Sequence, residues 1–182
     1  MKYLTRIAPV LVVGALGIAA CGGSDGGSGA SLSGDDAELA EALADVWAED
    51  ESFPASLSSE CLANGFISGV GGAEGAERYG VNVDNIGDGS FDENPLEQGD
   101  ALAAAGQMFE CDGFEAAFLG EIAGTDDADD TKCLAGEISD EPLTGLFASS
   151  FMGDNAGPLE EQYENTFEEE FFAALETCDV QA

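Results

Sequence analysis

Apolar residues recur along the chain at helical spacing. Leu39, Leu43, Val46 and Trp47 fall at i, i+4, i+7 and i+8, one face of a helix predicted from about residue 36 to 49. Asp35 or Asp36 is placed to cap it, and Pro54 follows its end. A second helix is predicted to start at Ser58 or Ser59 and to bury Cys61, Leu62, Phe66, Ile67 and Val70. Gly71-Gly72 should kink or end it, and a short piece over residues 73–79 should stop at Gly80. The polar stretch 81–94 reads as a loop leading through Pro95 into a helix that carries Leu102, Met108, Phe109 and Cys111.

The second half follows the same plan. Phe114, Phe118, Leu119 and Ile122 form a stripe, and the acidic run 126–130 reads as a connector. Cys133 and Leu134 are expected to open the next helix, and Ser139-Asp140-Glu141-Pro142 marks a cap with proline near its first turn. Leu143, Leu146, Phe147 and Phe151 share the face that follows. The last helix, about residues 159–178, lines up Leu159, Tyr163, Phe167, Phe171 and Leu175 with glutamates outside. No segment alternates as a strand does, so the fold class is all-α, about six to seven short helices.

The halves echo each other in detail. Ser59-Glu60-Cys61-Leu62-Ala63 returns as Thr131-Lys132-Cys133-Leu134-Ala135. Leu102-Ala103-Ala104-Ala105 ahead of Cys111 returns as Phe172-Ala173-Ala174-Leu175 ahead of Cys178. Two copies of one supersecondary unit, residues 35–111 and 112–182, are the economical account. Four cysteines permit three pairings, and the duplication selects Cys61–Cys111 and Cys133–Cys178. A tetrathiolate metal site is the rival, but no CxxC pair exists to build one.

The N-terminus is a processing signal. Lys2 and Arg6 precede an apolar stretch from residue 7 to 20, too short to span a membrane comfortably. It ends in Ile18-Ala19-Ala20-Cys21 before a Gly/Ser-rich run, and this resembles a bacterial lipobox. The resemblance implies a signal peptide over residues 1–20, a lipid anchor carrying palmitate on Cys21, and a flexible tether to residue 34. It also implies an extracytoplasmic address at the cell membrane, where disulfides form.

Composition then narrows the chemistry. The 182 residues hold 38 carboxylates, four cations and no histidine, a formal charge of −34. Removing the signal leaves Arg78 and Lys132 against those 38, a net −36. Nucleic acid is excluded as a partner, because its backbone needs a basic footprint. Histidine-dependent triads and His-ligated zinc are excluded outright. A folded body of roughly 16.5 kDa has about 7,500 Å² of surface, so net charges sit about 14 Å apart. That spacing exceeds the Debye length of about 8 Å at physiological salt, so self-repulsion is severe only in dilute solution. Such a surface keeps a protein soluble and monomeric, and it steers a basic protein toward it.

No nucleophile elbow, phosphate-binding loop or HExxH motif is present, and Gly69-Val70-Gly71-Gly72 follows a helix rather than a strand. Arg78 and Lys132 are the only cationic handles for an anion outside the signal. The sharper candidate is a cation loop. Residues 84–94 concentrate oxygen ligands, with Asp84, Asp88 and Asp92 foremost, and calcium binds such donors. An EF-hand register fails, since Ile86 falls at its third position and Pro95 at its twelfth. Asp126, Asp127, Asp129 and Asp130 form a second candidate site. The plain alternative for both is acid placed favourably near helix N-termini.

An acidic lipoprotein with two Cys-Leu-Ala helices and a later cysteine in each half is similar to small secreted helical proteins of actinobacteria. That resemblance implies a fold and an address, with no established activity. The expected role is therefore non-enzymatic: a lipid-anchored interaction or structural module of the cell envelope, without a cofactor. The alternatives are a calcium-binding envelope protein and a carboxylate-based hydrolase.

Overall fold

The computed structural model describes residues 32–49, 57–88 and 94–180, and all their regular structure is helical. In chain order the helices are α1 (Asp35–Glu49), α2 (Ser59–Gly69), α3 (Gly72–Glu77) and α4 (Gln98–Phe109), then α5 (Phe114–Ala123), α6 (Ala128–Glu137), α7 (Asp140–Ser149) and α8 (Gly157–Thr177). Single 3-10 turns stand at Ile86–Asp88 and Gly153–Asn155. The described residues thus hold eight α-helices, more than the six or seven predicted, and α8, at 21 residues, is not short. Two of the breaks between them fall where the sequence places them. Gly71 and Gly72 take left-handed φ of 94° and 76° and part α2 from α3. Ile138, extended at φ −105° and ψ 139°, parts α6 from α7.

Local chemistry explains the ends. Ser58 Oγ accepts from the Cys61 N–H at 3.1 Å and caps α2. Asp36, placed in the sequence to cap α1, reaches instead to α3, where its Oδ1 accepts from the Ala73 N–H at 2.7 Å. Gly34 O takes the first amides of α1, those of Ala37 and Glu38, at 3.1 Å. The run 126–130 is also no mere connector. Asp127 Oδ1 accepts from the N–H groups of Asp129 and Asp130 at 2.9 and 3.3 Å, so α6 begins five residues before Cys133. Acid in a first helical turn is stabilised by the exposed amides and the helix dipole.

The first core lies between α1, α2 and α4 and is built on Leu39, Leu43, Leu62, Phe66, Ile67 and Val70. The buried face of α4 is Ala101, Ala104, Ala105 and Met108, whereas Leu102 and Phe109 are half-buried. The reason lies on α2. A Cβ on Gly69 would sit against the backbone of α4, 2.6 Å from the Ala103 carbonyl carbon, and one on Gly65 would meet Gln107 O at 2.9 Å. Backbones this close leave room for alanine only. The second core joins α5 to α8 through Leu119, Leu134, Leu143, Phe167 and Phe171.

The halves lean on each other. Phe114, Ala148, Met152, Ala156 and Leu159 complete the first core from the second half, and the Leu96 N–H donates to Phe151 O at 2.8 Å. Edge-to-face rings run through the junction, from Phe66–Phe151 at 5.3 Å to Phe147–Phe151 at 5.0 Å and Phe109–Phe147 at 5.6 Å. Helix α7 packs on both α4 and α8. Cys61–Cys111 ties α2 to the turn after α4, and Cys133–Cys178 ties α6 to the residue after α8. This is the pairing the duplication predicts. Among the described residues no helix is long and apolar enough to cross a membrane.

Candidate functional site

A cleft of about 430 Å³ lies where the start of α1 meets α3 and the strip after it. Asp35 and Glu38 come from α1, Glu74 and Glu77 from α3, and Asp84 from the predicted cation loop. Val83, 41% exposed, supplies an apolar edge. Glycine makes this geometry: Gly80, at φ 72°, lets the Val81 N–H donate to Ala76 O at 3.1 Å, turning the chain back beneath α3.

The cation loop is organised by its amides. The Asn82 N–H donates to Asn85 Oδ1 at 2.8 Å, Asn82 Oδ1 accepts from the Asp84 N–H at 2.9 Å, and Asn85 Nδ2 donates to Gly80 O at 2.8 Å. Ile86 is buried in the first core and anchors the strip from below. Asp84 is exposed, Asp88 ends the 3-10 turn, and Asp92 lies outside the described residues. In the second candidate, Asp127 is committed to its cap, and Asp130 Oδ2 accepts from Thr125 Oγ1 at 3.3 Å. Asp126 and Asp129 are exposed. Among the described residues, no three carboxylates or thiols converge as a metal would require.

Arg78 stands beside a second, smaller cleft of about 220 Å³ with Gly71, Glu74 and Gly75. Its guanidinium is already engaged. Nη2 donates to Val70 O at 2.9 Å and pairs with Asp100 Oδ2 at 3.0 Å, joining the end of α2 to the start of α4. The Tyr79 hydroxyl donates to the same Asp100 oxygen and accepts from the Glu97 N–H at 3.2 Å. Burial, then that hydrogen bond to a carboxylate, raises the phenol above its ordinary pKa. Lys132 is exposed on α6.

One carboxylate escaped the sequence reading. Glu115, in the first turn of α5, has a buried Oε1 with no hydrogen-bond partner. Desolvation, then the charge of Asp140, raises its pKa above the usual glutamate value. The pair lines neither cleft. Its only sequence signal was an acid among the apolar residues of the α5 stripe, and 38 acids hide one.

Cys21, the predicted lipidation site, lies outside the described residues, whereas Cys61, Cys111, Cys133 and Cys178 are all in bridges. Compared with known proteins, the chain matches no protein-family model, no curated protein and no solved structure.

Proposed function

We propose that the chain is a lipid-anchored, extracytoplasmic, non-enzymatic helical module that works in the cell envelope by contact with a basic protein partner. The supporting observation is its cysteine chemistry. Four cysteines are consumed in two bridges, each clamping a packed helix pair, and the fifth, Cys21, stands apart behind a signal-like segment. Bridges of this kind belong to an oxidising compartment. A lone thiol ending a lipobox-like run is the one that a lipid would take.

The acidity fits the same role. With Arg78 held by Asp100 and the α2 terminus, most surface carboxylates among the described residues face solvent without a cationic neighbour. Anionic headgroups repel such a body, so the anchor holds it near the membrane while its surface stays open to basic partners. The test is metabolic labelling of the full chain in a bacterial host. The wild type should incorporate palmitate and sediment with membranes, whereas Cys21→Ala should take no label and appear in the soluble fraction. Equal soluble recovery of both without label would refute the anchor.

A further inference from the structure

We propose that the outer face of α8 is a docking surface for a protein that offers an apolar pocket rimmed by lysine or arginine, with Phe172 as the anchor. Phe172 is 63% exposed, more than any other large hydrophobic side chain among the described residues. One exposed apolar residue is ordinary by itself. Two further facts set this one apart.

The first is its setting. Glu161, Asn165, Glu168, Phe172 and Glu176 follow at helical spacing along one exposed side of α8, and Glu169 flanks them. The helix carries no lysine or arginine. An aromatic side chain ringed by uncompensated charge is the anatomy of an interface centre and its polar rim, complementary to a basic partner.

The second is the internal duplication. Aligning α4 and α8 on their alanine runs pairs Phe172 with Leu102, and aligning them on their cysteines pairs it with Ala105. Leu102 is half-buried against the first core, and Ala105 is fully buried. In either register the matching position is wholly or partly covered in the first core, whereas Phe172 stays open. The Phe171 ring, 6.1 Å from Phe172, roots the anchor in the second core, so the exposed ring is presented from a fixed base. A second copy of this chain is the wrong occupant, because it would bring carboxylates against carboxylates.

This inference rests on the interaction role proposed above and is tested without the anchor's chemistry. The full chain in nonionic micelles is titrated into a fluorescent helical peptide of lysine and leucine with all leucines on one face. An equally charged peptide of lysine, alanine and glutamine is the control, and empty micelles the blank. The Cys21→Ala chain repeats the comparison without detergent. The leucine peptide should bind more tightly than the control, and Phe172→Ala should weaken it by about tenfold while leaving the control peptide unchanged. Phe172→Trp should restore the difference, and circular dichroism should show all variants folded. Equal binding of both peptides, with no effect of Phe172→Ala, would overturn the docking site and leave a merely acidic surface. Binding of neither peptide would overturn the interaction role as well. Dimerisation in high salt that Phe172→Ala abolishes would assign the face to a second copy and overturn the basic partner.

Discussion

Replacing Gly69 with alanine adds one methyl group at the closest approach in the first core. That methyl would lie 2.6 Å from the Ala103 carbonyl carbon and closer still to Ala104, all backbone atoms of α4. No rotamer change relieves the overlap, so α2 and α4 must move apart. The Cys61–Cys111 bridge resists that movement at one end of the pair. Overpacking a close-packed core costs about 1–3 kcal/mol, and a clash of backbone with backbone belongs at the upper end. For a body of this size, 3 kcal/mol lowers the midpoint by roughly 10 °C. Gly106, on α4 with nothing within 4 Å of a Cβ, is the internal control. There alanine removes only the conformational freedom of glycine and should stabilise by about 0.5–1 kcal/mol. Thermal melts followed by circular dichroism at fixed salt compare the two. A Gly69→Ala protein as stable as wild type, or equal losses in both variants, would refute the close α2–α4 seam.

The other expectations concern bridges, protons and salt. Cys133→Ser/Cys178→Ser should lose about 4 kcal/mol in denaturant titrations, the chain-entropy value for a loop of this length, and a loss near zero would mean that the bridge only decorates α6 and α8. Glu115→Gln should be more stable than wild type at neutral pH and equal to it in acid. The folded state binds the Glu115 proton more tightly than the unfolded chain does. The cost is therefore absent below the ordinary carboxyl range and grows as pH rises through the raised value. Paired melts across pH check this, and a constant difference would point to packing instead. Asp127→Ala should cost about 1 kcal/mol through the lost α6 cap. NaCl should raise the melting midpoint by screening, and CaCl2 at matched ionic strength should raise it no further; a selective calcium response would revive the loop at Asp84 as a cation site.

The helices were legible because nearly every one carries a wide apolar stripe and a turn signal at its end. Gly80 and Ser58 did what their residue types predict. Two of the misreadings come from partners elsewhere in the fold. Asp36 has the composition of an α1 cap, but the amide of Ala73, brought near by the Gly71-Gly72 turn, takes its carboxylate. Leu102 looks like core because it is leucine, whereas the buried face of α4 is alanine. That reversal follows from Gly65 and Gly69 on another helix, information that lies some forty residues upstream and has no periodic signature in α4 itself.

The candidate sites were harder to read for a related reason. In a chain with 38 acids, identity carries no information and only surroundings distinguish one carboxylate from another. Asp127 and Asp84 have the same side chain, yet one is tied to a helix terminus and the other edges an open cleft. Glu115 differs from both in having one carboxylate oxygen buried without a partner, on α5 and near the charge of Asp140. Phe172 shows the converse. Its residue type predicts burial, and its place in an apolar echo of Leu102-Ala103-Ala104-Ala105 strengthens that prediction, but it ends in solvent. The first half is closed by contacts from the second, through Ala148, Met152 and Leu159, whereas the outer face of α8 around Phe172 stays exposed. The acids around Phe172 then decide the sign of charge that any neighbour must carry.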